Sequence, residues 1–324
     1  MHSPNELRAI INEEFSKLPS DLKPVELYEP IRYFISLGGK RLRPVLLLMG
    51  NELFSQNNKD AIMPALGLEL FHNFTLLHDD IMDQSPIRRR QPTVNKKWNN
   101  NIAILAGDAM FVESCMLMMK SKPQYLQPVM SVFLATAIQV CEGQQYDMNY
   151  ELESTVSIPE YLNMVELKTA VLLGASLKIG AILGGAAEED ANLLYEFGKN
   201  IGIAFQLQDD ILDVYGNETI FGKQKGKDIV SNKKTFLLIK ALELSKDSSA
   251  RELNTWINSE NFIDKEKVEA VTSIFNRYQV KQLAQDEMSN FFKKGLASLM
   301  KVNADSSRKE FISGYAESLM FREN

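Results

Sequence analysis

Apolar residues recur at intervals of three and four along almost the whole chain, and this regularity restricts the fold more than any other feature. Leu7, Ile10, Ile11, Phe15 and Leu18 set the pattern, which puts them on one stripe of a helix. Strands need alternation instead, and no convincing run of it occurs. Only 17 Gly and 11 Pro stand in 324 residues, too few for a turn-dense sandwich or a collagen-like chain. With 45% apolar and 24% charged residues the balance is globular and supports a sizeable core. No stretch rich in Pro, Gly and Ser divides the chain, so residues 1–324 read as one all-α domain, a helical bundle.

The spacing predicts helices over about 25–37, from Pro44 onward, and over 61–82, 98–120, 124–150, 159–184, 188–216 and 233–246, with the last eighty residues also helical. Gly38 and Gly39 stop the first of these, leaving GGKRLRP between two helices. Two irregular segments interrupt the pattern. One is the polar stretch Gln84–Asn95 with Arg88, Arg89 and Arg90; the other is Gly216–Lys233, rich in lysine and placed to act as a lid.

A formal charge of −6 argues against a general nucleic-acid binder. Two cysteines, Cys115 and Cys141, give no disulfide framework; they read as core residues and favour the cytoplasm. The N-terminus lacks the charged start and apolar run of a signal peptide. The apolar region Ala170–Ala187 is interrupted by Ser176 and Lys178, so no transmembrane segment is expected.

One acidic motif occurs twice. Asp79, Asp80 and Asp83 form DDxxD, and Asp209, Asp210 and Asp213 form DDILD about 130 residues later; two such motifs by chance have odds of roughly 0.001. Residues four apart share a helical face, so Asp79 projects with Asp83 and Asp209 with Asp213. Each pair repels itself unless a cation sits between its members, and oxygen-only ligands suit magnesium. Zinc is disfavoured, since the only histidines are His2, His72 and His78 and the cysteines stand apart. Arg88 and Arg89 follow the first motif, Lys223 and Lys233 the second. Carboxylate, metal and cation together imply a polyphosphate ligand; the bland alternative is two solvated acidic helix ends.

The residues as a set resemble the trans-isoprenyl diphosphate synthase (polyprenyl synthetase) family, the head-to-tail prenyl chain elongases. The likeness runs, in the family's order, from GGKRLRP through LLHDDIMDQSPIRRRQPTV, GDAMF, GQQYD, ELKTA and FQLQDDILDVYG to GKQKGKD and NKKT ending at Thr235. It implies the isoprenoid synthase fold, with the active site in a central cavity between helices, and a homodimer. It also implies that Lys40, Arg43, His72 and Arg89 hold isopentenyl diphosphate. Arg88, Lys168, Lys223 and Lys233 would meet the allylic diphosphate, bridged by three Mg2+ ions to Asp79, Asp83 and Asp209, with Thr169 and Gln206 near the reacting carbon. Asp80, Asp210 and Asp213 are expected to orient the ligands, and Gln144 and Asp147 to matter less directly.

By the same resemblance, bulky residues one or two turns before the first motif floor the tunnel for the growing tail. Here they are Phe74 and Phe71, a pattern similar to short-chain synthases with products of fifteen or twenty carbons; plain helical core is the other reading of Phe74. His78 reads as a core or helix-surface histidine. The family usually has Gly where Arg90 stands, and the C-terminal MFREN offers only Arg322 where relatives carry several basic residues. Three rivals share features: a terpene cyclase, a non-catalytic regulatory subunit and a magnesium-dependent diphosphate hydrolase. A cyclase usually has a longer Asn, Ser/Thr, Glu second motif, a regulatory subunit typically loses one aspartate motif, and a hydrolase needs no second anionic site.

Overall fold

A computed structural model describes residues 1–17, 19, 21–216, 225–259 and 261–320. Helices dominate them: α1 (Pro4–Ser16), α2 (Val25–Ser36), α3 (Leu42–Phe54), α4 (Lys59–Met82), α5 (Val94–Lys97), α6 (Asn100–Met118), α7 (Pro123–Leu152), α8 (Ile158–Val165), α9 (Val171–Leu183) and α10 (Glu188–Tyr215). Beyond Lys225 come α11 (Lys227–Val230), α12 (Phe236–Leu244), α13 (Asp247–Asn258), α14 (Asp264–Arg277), α15 (Val280–Lys301) and α16 (Ser306–Met320). Among the described residues the only strands are β1 (Ile87–Arg88) and β2 (Gln91–Pro92), an antiparallel pair.

These residues make two compact units. The first comprises Met1–Leu134, Ala175–Leu194 and Asn303–Arg308, the second Ala135–Gly174, Tyr195–Val302 and Lys309–Asn324. In the first, α1 starts on a capping box: the Ser3 hydroxyl takes the Glu6 N–H and the Glu6 carboxylate takes the Ser3 N–H. Its buried stripe is Leu7, Ile11 and Phe15; Ile10 lies at the margin and Leu18 outside the described residues. Every residue of α3 except Arg43 and Phe54 is buried, which marks a core helix. It begins at Leu42, so Pro44 falls in its first turn, where no N–H is needed. α4 packs along α6 and α3, burying the run Pro64–Phe71. In the second unit Ser157 and Glu160 form another capping box at the start of α8.

The structure departs from the sequence reading in four places. The single helix expected over 159–184 is broken by a π-turn at Glu166–Ala170. The stretch Gln84–Asn95 contains the β1–β2 hairpin, turned by Arg89 and Arg90 at φ of 51° and 66°. Such turns match strand twist but favour Asn and Gly, and a left-handed non-glycine costs about 1–2 kcal/mol; a glycine at position 90 would avoid that at the second residue. Cys115 is half-buried and Cys141 exposed, so neither is a core residue. Finally, α6, rather than the buried α9, is the helix among the described residues that is long and apolar enough to cross a membrane. One side of it is covered by α4, while Leu105, Val112 and Met116 on the other are each more than half exposed.

Candidate active site

In the first unit the site begins with Arg41, whose place in GGKRLRP suggests a surface charge but which is only 4% exposed. Its Nη1 donates to Glu69 Oε1 on α4 at 2.9 Å, Nη2 to the Ile35 carbonyl at 3.0 Å and Nε to Asn12 Oδ1 at 3.2 Å. The guanidinium also lies over the Phe15 ring. With φ of 51° Arg41 caps α3 in a left-handed conformation, and this network holds the turn that presents Lys40 and Arg43.

Arg43 Nη1 donates to His72 Nε2 at 2.9 Å. Burial pulls the Arg43 guanidinium down to about 10. Burial, and then the charges of Arg43, Arg89, Arg88 and Arg41, hold His72 well below its ordinary 6.5. The imidazole is therefore neutral at pH 7; with Nε2 accepting from arginine, its proton sits on Nδ1, which can donate to an anion. Burial also lowers Arg89. Its guanidinium lies against Gly39, whose φ of 145° disfavours any other residue; a β-carbon there would come within 2.6 Å of Nη2 and push the guanidinium aside. Burial raises Glu69, the carboxylate these arginines share. Three guanidiniums, those of Arg41, Arg43 and Arg89, around one buried carboxylate leave an excess of positive charge, a setting for a phosphate.

The aspartates of α4 follow about two turns beyond His72. Asp83 closes the helix, its N–H bonding the Asp79 carbonyl at 2.8 Å. Asp80 is 2% exposed and accepts from Arg88 Nε at 2.7 Å, while Arg88 Nη2 lies 3.8 Å from Asp79. Arg88 is thus tied back to the motif it follows. Phe74 and Phe71 stand in a ring cluster: Phe111 of α6 lies 5.4 Å from Phe74 and 6.1 Å from Phe71, and Phe133 lies 5.4 Å from Phe71. The His78 ring meets Phe74 edge-on at 4.8 Å, and its Nε2 bonds the Ile104 carbonyl, so the proton is on Nε2.

In the second unit the π-turn carries Lys168 and Thr169. Extra residues of this kind are common at functional sites because they re-aim a side chain. α7 passes against the turn at Gly143, where a β-carbon would lie 2.6 Å from Lys168 Cα. That approach brings Asp147, one helical turn further, to 2.6 Å from Lys168 Nζ; Lys233 Nζ is 3.9 Å from the same oxygen. Burial pushes the Asp147 carboxyl up, but the two ammonium groups outweigh it and hold the group below its usual range. Asp147 thus stays charged and keeps the lysines together, a larger part than its sequence context suggests.

Asp209 and Asp213 are half-buried on α10. Asp210 is 4% exposed and accepts from Tyr161 Oη at 2.6 Å, Gln206 Nε2 at 3.0 Å and the Phe236 N–H at 3.4 Å. Burial, with Asp228 nearby, raises it to about 7. Asp213 takes the Asp228 N–H at 3.1 Å. Lys223 and Arg322, both named from the sequence, lie outside the described residues, as do residues 217–224 of the expected lid. Among the described residues no three His, Cys, Asp or Glu side chains form a ready metal cage. Magnesium fits such a site, since it takes one or two carboxylates and completes its shell with phosphate oxygens and water.

The Polyprenyl synthetase family model matches residues 24–275. The chain belongs to this family. It is 44% identical over 223 residues, 68% of its length and 69% of the relative's, to a geranylgeranyl diphosphate synthase of Methanosarcina mazei. It is 33% identical over 314 residues to a short chain isoprenyl diphosphate synthase of Methanothermobacter thermautotrophicus, covering 97% of this chain and 95% of that one. A crystal structure of a geranylgeranyl pyrophosphate synthase superposes with a TM-score of 0.95 at 41% identity over 100% of both chains. The synthase is accordingly a prenyltransferase of a generally magnesium-dependent family, and its all-α fold is that of the isoprenyl synthases.

Proposed function

We propose that the synthase condenses isopentenyl diphosphate head-to-tail with allylic diphosphates and that its accumulating product has twenty carbons. The observation that carries this reading is the pair of guanidiniums of Arg43 and Arg89 beside a neutral His72, an anion site separate in composition from the Lys168–Asp147–Lys233 set. An elongase needs two diphosphate sites, whereas a hydrolase needs one. Residues 1–324 work as one polyprenyl synthetase domain, because the family model spans segments of both units.

By the family resemblance, Asp79, Asp83 and Asp209 would hold magnesium, three ions in all, together with the allylic diphosphate. Magnesium supplies charge neutralisation of the leaving group. Lys168, Lys223, Lys233 and Arg88 neutralise what remains, in a site whose dipoles are set beforehand. The allylic carbon–oxygen bond breaks and the diphosphate keeps the electron pair. The double bond of isopentenyl diphosphate, held by Lys40, Arg43, His72 and Arg89, attacks the cation beside Thr169 and Gln206. The proton lost from the new cation goes to the departing pyrophosphate. His72 is no base here, since its Nε2 is occupied by Arg43. Asp80, Asp210 and Asp213 orient the ligating and cationic groups through the contacts given above.

Arg43→Ala removes one cation from the isopentenyl diphosphate side only. The expected result is a KM for isopentenyl diphosphate raised about tenfold or more, with the allylic KM changed less than about threefold; equal effects would overturn the site assignment. Phe74, backed by Phe71 and Phe111, floors the tunnel, and the name geranylgeranyl diphosphate synthase of a relative 44% identical supports a twenty-carbon product. Phe74→Ala should lengthen the product, read by mass spectrometry, and an unchanged product would remove Phe74 from the floor.

The exposed apolar side of α6, with Leu105, Val112 and Met116, suits a second copy of the chain, giving a homodimer. That occupant accounts for α6 without a membrane. Both cysteines are free thiols, in keeping with work in the cytoplasm.

A further inference from the structure

Lysine is almost never fully buried unless paired, yet Lys267 on α14 has no exposed surface, and burial outweighs the charge of Asp264, the acidic group that favours its ammonium form. Its ammonium donates to the Val230 carbonyl at 3.1 Å and to Asn232 Oδ1 at 2.7 Å, and it lies over the Phe262 ring at 4.2 Å. Three donors thus meet two dipoles and an aromatic face. Burying an ammonium ion costs several kcal/mol before such contacts repay it, and an apolar side chain would fill the space at less expense.

What the ammonium holds is the segment that leads to Lys233. The Val230 carbonyl is at the open end of α11, and Asn232 has a left-handed φ of 54°. The Asn232 Nδ2 donates to the Ile257 carbonyl at 2.9 Å, so one side chain joins α14 and the end of α13 to the turn. The next residue is Lys233, whose N–H bonds the Asp228 carbonyl at 2.9 Å and whose Nζ lies 3.9 Å from Asp147. Loosening Asn232 would free the backbone immediately before that ammonium.

We infer that Lys267 is a positioning residue for the allylic diphosphate site, acting through Asn232 to aim Lys233. The inference rests on the proposed role of Lys233 as a diphosphate ligand, and the test separates the two. Steady-state kinetics are compared for Lys267→Met, Asn232→Gly, Lys233→Ala and the double variant K233A/K267M, with thermal unfolding of each. Asn232→Gly keeps the left-handed backbone at no steric cost while removing both side-chain bonds, so it remains informative if Lys267→Met folds poorly.

Expected for Lys267→Met and for Asn232→Gly is an allylic KM raised about tenfold with the isopentenyl diphosphate KM unchanged, and no further rise when Lys267→Met is added to Lys233→Ala, because groups acting through one another do not add. If Lys233→Ala raises the allylic KM but Lys267→Met and Asn232→Gly lower only the melting temperature, the positioning role is overturned and the Lys233 assignment stands. If Lys233→Ala itself leaves the allylic KM unchanged, the assignment of Lys233 fails and the inference falls with it. Multiplying effects in the double variant would also overturn it.

Discussion

Asp79→Asn should lower kcat by about 10³-fold, as removal of one preorganised electrostatic group from a charge-developing site does, while thermal unfolding stays within about 2 °C of the parent. The substitution keeps the shape of the side chain and takes away one anionic ligand. Asp79 stands near the end of α4, where its carboxylate lies 3.8 Å from Arg88 Nη2. Asp80 is the opposite case: it is buried and holds Arg88 Nε at 2.7 Å. A kcat within tenfold of the parent at saturating magnesium would show that Asp79 is not a ligand.

The second large effect falls on stability. Glu69→Leu should destabilise the synthase by about 3–5 kcal/mol, because removing one partner of a buried ion pair leaves the other charged and unmatched. Arg41 would keep its bonds to the Ile35 carbonyl and Asn12 but lose the only carboxylate it pairs with among the described residues. At about 1.5 °C per kcal/mol for a chain of this length the melting temperature should fall by roughly 4–8 °C. The same change loosens the GGKRLRP turn, so the isopentenyl diphosphate KM should rise in whatever protein remains folded. A loss under about 1 kcal/mol would mean that Arg41 and Glu69 do not hold that turn.

Features set by a few neighbouring residues are legible in the sequence. The period of three and four gives the helices, the glycine pair at 38 and 39 ends α2, and the i, i+4 spacing puts Asp79 with Asp83 and Asp209 with Asp213. Features set by a distant approach are not. ELKTA reads as plain helix, and its π-turn is visible only where Gly143 lets α7 come against Lys168. The burial of Arg41 and Lys267 is not legible either, because a single charge on an amphipathic stripe carries no local mark of its partners. Phe111 belongs to the quoted GDAMF, but its contact with Phe74 depends on how α6 lies along α4. The hairpin at 87–92 is hidden for another reason: its two left-handed residues are arginines where turn chemistry calls for asparagine and glycine.

The central claim is metal-dependent elongation, and one assay tests it most directly. Purified synthase is given magnesium and isopentenyl diphosphate with dimethylallyl, geranyl or farnesyl diphosphate in turn, with and without a chelator, and products are read by mass spectrometry. The account predicts elongation from an allylic starter, abolished by the chelator, with a twenty-carbon diphosphate accumulating. Protein that binds diphosphate but elongates no starter, or that releases cyclic hydrocarbon without consuming isopentenyl diphosphate, would contradict it.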